Sequence, residues 1–342
     1  SDIVNVYDPY GRVYKCDTFL LTPKWLTQGD LAQVDCEFET NTVAKKVGAS
    51  VDAEDIGGDF NNDYNDDYTN VQGHEPAYIP SVARVKEYVK ANTTSCIFGV
   101  KGQHITEGYH YIGYLDYENK IEIWQDGTKF MFLYAGKMYA PDNCAQMFRD
   151  CTALTTLNLS NFNTANVTTM AYMFQNCDTL QTLNLSNFNT DNVTNMYAMF
   201  VDCAALTTLD LSNFNTANVT AMAGMFQNCA ALTTLDLSNF NTENVAYMQG
   251  MFQNCAALTT LDLSNFNTEN TSSMQRMFQS CPALITIYGG DWVKKMGLDS
   301  SNMFRYCTSL VGGNGTTYSS THINAEYARI DRPGTPGYFT QR

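Results

Sequence analysis

The chain has 342 residues and a formal net charge of −15, with 44% hydrophobic and 13% aromatic residues. That length accommodates one extended unit with smaller flanking units. The acidic balance argues against nucleic acid and anionic membrane as partners, because phosphates repel such a surface.

The first residues, Ser1-Asp2-Ile3-Val4-Asn5, are polar and acidic and do not read as a signal peptide: either a signal has been removed or none was used. Residues 1–50 read as short strands and loops, with Val4-Asn5-Val6-Tyr7 and Arg12-Val13-Tyr14 flanking a turn at Pro9-Tyr10-Gly11. Residues 57–70 form a polar, acidic run. Asp63, Asn65 and Asp67 have the opening spacing of a calcium loop, but Tyr68 stands where that loop needs Gly and no Glu closes it, so the run reads as an exposed loop or linker rather than a cation site. The stretch Pro80–Lys90 predicts a helix capped by Ser81, with Val82, Val85 and Val89 on one face.

Residues 96–140 are aromatic and strand-like. Ile121-Glu122-Ile123-Trp124 and Lys129–Tyr134 flank Asp126-Gly127, a hairpin signal. Placed before the first repeat, this hairpin is expected to cap an open edge that would otherwise invite aggregation. Residues 1–95 form an N-terminal unit in this reading, and 96–143 a β-rich cap.

From residue 144 to 311 the sequence repeats every 26 residues without an insertion. Met-Phe recurs at Met147-Phe148, Met173-Phe174, Met199-Phe200, Met225-Phe226, Met251-Phe252, Met277-Phe278 and Met303-Phe304, and each pair is followed by a cysteine, from Cys151 to Cys307. A fixed period in this range is the signature of a solenoid. Within one unit Leu209 and Leu211 alternate with Thr208, Asp210 and Ser212, which predicts a short strand with one buried face. Phe214 follows as a plug. Val219, Met222, Met225, Phe226 and Cys229 then fall at spacings of three and four, which predicts a short helix or helical turn that Asn215 and Thr216 can cap. One unit alone cannot bury enough apolar surface to offset its ordering entropy, so the units must share a core. The tail, 312–342, with Tyr327, Ile330 and Tyr338-Phe339, is expected to cap the far end.

Eleven cysteines would suggest disulfides, but seven are locked to an apolar slot of the repeat and are expected to be buried free thiols. Cys16, Cys36, Cys96 and Cys144 stand outside that ladder, and a disulfide among them is left open. Cysteines 26 residues apart with no His in the array lack metal-ligand spacing. His74, His104, His110 and His322 sit in no Ser/His/Asp or Cys/His constellation, so no catalytic residue, cofactor or metal is assigned.

Two surfaces are candidates for binding. Outward strand positions build polar ladders through Thr208, Asp210, Ser212, Thr234, Asp236, Ser238, Thr260, Asp262 and Tyr288; such a lattice suits a glycan or protein, stacked Asp suits a cation, and a plain solvated face is the bland alternative. Tyr172, Tyr197, Tyr247 and Arg276 break the uniformity of the other half of the repeat, and aromatics and Arg favour contacts.

The strand motif Leu-x-x-Leu-x-Leu resembles a leucine-rich repeat. The fuller signature Leu-Thr-Thr-Leu-x-Leu-Ser-Asn-Phe-Asn-Thr-x-Asn-Val-Thr-x-Met-x-x-Met-Phe-x-x-Cys resembles the BspA-type bacterial surface proteins over residues 144–311. The tail from Gly312 is similar to endings seen after such arrays. The resemblance implies an α+β leucine-rich-repeat solenoid and a role in adhesion or protein binding, with no catalytic residues to carry over. Ile79–Val89 more weakly resembles a segment of phage tail-fibre proteins. The sequence reading is therefore a non-enzymatic, surface-displayed recognition protein. A phage virion fibre or decoration component that binds a host surface protein or glycan is placed ahead of a bacterial cell-surface adhesin and a structural spacer. The N-terminal unit would attach to virion or cell-wall proteins, with homo-oligomerisation left open and no membrane insertion.

Overall fold

The computed structural model describes residues 74–102, 108–292 and 298–342, together with four N-terminal strands. Those strands, β1 (Val4–Tyr7), β2 (Val13–Cys16), β3 (Cys36–Glu39) and β4 (Ala44–Val47), form an antiparallel meander. Cys16 and Cys36 are register partners in the β2–β3 pair. Their thiols, the Pro9–Gly11 turn and the acidic run 57–70 lie outside the described residues.

The described residues are mostly strands and turns. Their α-helix is α1 (Val82–Lys86), where the Ser81 side chain accepts from the Arg84 N–H at 3.2 Å, the cap foreseen from sequence. Val85 and Val89 are buried, while Val82 packs half-buried at the margin. These valines, with Ala77 and Ile79, join the core that continues through the repeats.

The predicted hairpin forms as β8 (Glu122–Asp126) and β9 (Lys129–Tyr134), with Gly127 at φ 56° in its turn. It does not pair with the strands of the repeats directly. Strand β6 (Ser95–Val100) pairs parallel to β9 on one side and to β11 (Thr156–Asn158) on the other, and β7 (His110–Tyr114) closes the outer side. A second small sheet orders β12 (Phe162–Asn163), β10 (Met138–Tyr139) and β5 (Ala77–Tyr78), all parallel. At the far end β13 (Thr260–Asp262), β14 (Thr286–Tyr288) and β15 (Phe339–Thr340) run parallel, so the tail adds a strand to the last repeats and buries Tyr338 and Phe339.

Between these ends each 26-residue unit is one coil lying on the next. Parallel bridges step through Asn143, Thr169, Asn195, Ala221, Tyr247, Ser273 and Asp299. The alternation read from sequence holds: Leu209, Leu211, Leu235 and Leu237 are buried, and Thr208, Asp210 and Ser212 are exposed. Regular strand pairing, however, forms only in the coils nearest the two caps. Phe148, Phe174, Phe200, Phe226, Phe252, Phe278 and Phe304 stack as a column, with neighbouring rings 5.5–5.8 Å apart and within 10° of parallel.

The helix expected in each repeat is absent, and the reason is local. Tyr172, Ala198, Gly224, Gly250 and Arg276 have φ between 54° and 64°; a second left-handed residue follows four positions on, at Asn176, Asp202, Asn228, Asn254 and Ser280. An α-helix cannot contain such residues. Successive turns form instead. The N–H groups of Met173, Gln175 and Cys177 donate three residues back within the coil, whereas those of Met170, Tyr172, Phe174 and Asn176 donate to carbonyls of the next coil at 2.8–3.0 Å. Along this stretch every second backbone donor thus ties coil to coil, which no helix would allow.

The expected capping roles change accordingly. Thr216 Oγ1 donates to the Asn241 carbonyl at 2.9 Å and accepts from the Asn241 N–H at 2.8 Å. Asn215 Oδ1 accepts from the Ala217 N–H in a local turn. Asn161, Asn187, Asn213, Asn239 and Asn265 also send side-chain amides backward: Asn187 Nδ2 donates to the carbonyls of Leu159 and Phe162 at 2.8 and 3.1 Å.

Candidate functional site

The cysteine ladder is structural. Cys177, Cys203, Cys229, Cys255, Cys281 and Cys307 are buried, and each thiol donates to the carbonyl of the phenylalanine 29 residues earlier at 2.9–3.2 Å. Burial pushes these thiols up, to about 12 at Cys203 and Cys281, which makes them poor nucleophiles. Cys96 and Cys144, whose pairing the sequence left open, are buried free thiols as well.

The strand-side ladder is exposed at Thr208, Asp210, Ser212, Thr234, Asp236, Ser238 and Thr260, and half-buried at Asp262 and Tyr288. Its carboxylates are engaged locally. Asp210, Asp236 and Asp262 accept from the N–H of Ser212, Ser238 and Ser264 at 2.9–3.0 Å. These backbone bonds hold the Asp210 and Asp236 carboxyls below their ordinary pKa. Asp262 also pairs with Arg342 from the tail. The stacked aspartates considered for a cation thus serve turns, and no cluster of metal-binding side chains occurs among the described residues.

The turn side is where separate coils build a shared feature. A groove of about 410 Å³ runs across the coils from Tyr172 to Arg276. Its floor carries Ala198, Gly224 and Gly250. The two glycines have φ of 64° and 61°, and a Cβ on them would lie 3.3 and 3.2 Å from the Oε1 atoms of Gln227 and Gln253. Glycine there satisfies the left-handed backbone and leaves the glutamine amides their room. At one end Tyr172 and Tyr197 meet edge to face, centroids 5.1 Å apart, and the Arg149 guanidinium lies 5.5 Å over the Tyr172 ring. Burial and the neighbouring Tyr197 hydroxyl raise the Tyr172 phenol. The Oε1 atoms of Gln175 and Gln249, both buried and both on this groove, accept no hydrogen bond from the protein.

The structure therefore brings together three of the residues singled out for breaking the repeat, Tyr172, Tyr197 and Arg276. Tyr247 is exposed but stands on the bridge column and does not line the groove. None of the strand-side ladder lines it either. Sequence reasoning passed over Gly224, Gly250, Gln227 and Gln253. Their signal was available as the only two glycines at one register position, each followed by Gln three residues on.

A family model described as a Mycoplasma protein of unknown function, DUF285, matches residues 142–236 and again 210–315. The chain belongs to this family. The two matches to DUF285 overlap and together span the coils, just over half of the chain. Membership agrees with a surface repeat protein of the BspA-like kind and singles out neither adhesion nor a virion role. No curated protein matches the chain. Among the described residues no helix is long and apolar enough to cross a membrane.

Proposed function

We propose that residues 144–311 are a leucine-rich-repeat solenoid of the BspA-like type and that the protein is a non-enzymatic, surface-displayed recognition component. It binds a host surface through the turn face of the coils. The observation that carries this reading is the groove: in an otherwise uniform array, the departures Tyr172, Tyr197 and Arg276 gather around one depression. Aromatic and arginine side chains supply much of the energy at recognition surfaces, and the bonding between coils holds them in place before any ligand arrives. Within this reading a phage virion fibre or decoration protein ranks ahead of a bacterial adhesin, on the resemblance of Ile79–Val89 alone, and the N-terminal unit supplies attachment.

The test uses the full-length protein, fluorescently labelled, on a panel of intact bacteria, compared with a variant carrying Tyr172→Ala, Tyr197→Ala and Arg276→Ala. Saturable binding to some strains that the variant loses supports the proposal. Binding that the variant retains assigns recognition to another surface. Absence of binding to every strain, with particles or cell envelopes retaining the protein, favours the spacer.

A further inference from the structure

Building on that reading, we propose that the turn-face groove is a subsite for a neutral, linear oligosaccharide laid across the coils, with about one sugar unit per coil. Four features carry it. The first is repeat distance: coils stacked at roughly strand spacing, about 4.8 Å, match the rise of a pyranose unit in an extended chain, and the groove crosses the five register-equivalent positions from Tyr172 to Arg276. The second is the lining. Gln175, Gln227, Gln249, Gln253 and Gln275 bring side-chain amides from four of the five coils that the groove crosses; Gln249 and Gln253 share a coil, Val201 takes the glutamine register in another, and Gln275 Nε2 already donates to Ser301 Oγ. One amide offers a donor and an acceptor side by side, the pattern that engages a pair of neighbouring sugar hydroxyls. The Oε1 atoms of Gln175 and Gln249 are enclosed and receive no donor from the protein; turned toward the groove, they would accept from a sugar hydroxyl.

The third feature is the Tyr172–Tyr197 pair, whose rings give the apolar C–H face of a sugar a surface to pack on at one end. The fourth is charge. The lining carries one carboxylate, Asp202, and one guanidinium, Arg276, while the array from Cys151 to Gln275 holds eight Asp or Glu and no Lys or Arg. Such a field repels polyanions and leaves neutral chains unaffected. An extended peptide fits less well. Strand addition needs open backbone donors and acceptors, and here the N–H groups of Ala198, Gly224 and Gly250 are already bonded to carbonyls of the next coil at 2.8–2.9 Å.

The experiment uses the full chain on strains that it binds, before and after periodate oxidation or protease treatment of the cells. Neutral cello-, manno- and chito-oligosaccharides of increasing length serve as competitors. The paired variant Gln227→Leu/Gln253→Leu keeps side-chain volume and removes the amides, and Thr208→Ala/Thr234→Ala on the strand face is the control. We expect periodate but not protease to abolish binding. Competition should strengthen with length up to about four or five units. The glutamine variant should weaken binding about tenfold at unchanged melting temperature, and the threonine variant should bind normally. Loss of binding after protease alone identifies a protein ligand and overturns the inference while leaving surface recognition intact. Equal binding by a folded glutamine variant overturns it too. If no strain is bound, the recognition reading fails and this inference fails with it.

Discussion

Replacing Thr216 by valine tests whether hydrogen bonding between coils, rather than apolar burial, holds the stack. Thr216 is 1% exposed, and its hydroxyl both donates to and accepts from the backbone of Asn241 in the next coil. Thr164, Thr190 and Thr242 do the same toward Asn189, Asn215 and Asn267. Valine keeps the shape, adds apolar surface and deletes both bonds. Leaving a buried donor or acceptor unsatisfied costs about 1–3 kcal/mol each. The Asn241 side is exposed, so water recovers part of that loss, and the expected net cost is about 2–3 kcal/mol. Thr216→Ser, which retains the hydroxyl and loses one methyl, should cost only about 1 kcal/mol. Guanidinium unfolding of the three proteins gives the order, and hydrogen exchange at the Asn241 amide reports the local opening. A valine variant as stable as the parent, or a serine variant less stable than the valine one, would refute the reasoning, because apolar burial alone predicts that order.

Thiol labelling at pH 8 should leave Cys203 and Cys281 unmodified in the native protein and label them fully in denaturant; rapid native labelling would contradict both their burial and their raised pKa. Leu235→Asp should place an unpaired carboxylate in the core at a cost of several kcal/mol and open neighbouring coils together, read as protease cleavage across several repeats; unchanged resistance would show that Leu235 does not face inward. In the C-terminal cap, burial works to raise the Asp331 carboxyl, but bonds from the Thr316 hydroxyl and from the N–H groups of Thr316, Asn314 and Gly337 outweigh it and hold the pKa below its ordinary value. A lowered folded-state pKa gives stability that is complete above the ordinary carboxylate range and is lost as pH falls through the folded value. Acid unfolding should therefore be less steep for Asp331→Asn than for the parent, and identical acid profiles would exclude Asp331 as a source of that stability.

Much of this protein is legible in its sequence. The Met-Phe and Cys register, the alternation around Leu209 and Leu211, the Ser81 cap and the Asp126-Gly127 hairpin are all set by local chemistry: a period, a side-chain alternation, a capping hydroxyl, a turn glycine. The repeat's second half was not, because Met222, Met225, Phe226 and Cys229 have the spacing of one helix face and equally that of successive turns. What separates the two is where backbone donors go, and here every second one finds its acceptor on the next coil. That partner is about 25 residues away in sequence, beyond the reach of any periodicity argument, although the Asn and Asp that recur before the cysteines mark left-handed positions. The candidate site divides in the same way. Tyr172, Tyr197 and Arg276 stand out in the sequence as departures from a uniform repeat. Their meeting with Gly224, Gly250 and the glutamine amides was decided by stacking alone, since a groove crossing several coils exists only once the inter-coil bonds bring register-equivalent residues side by side.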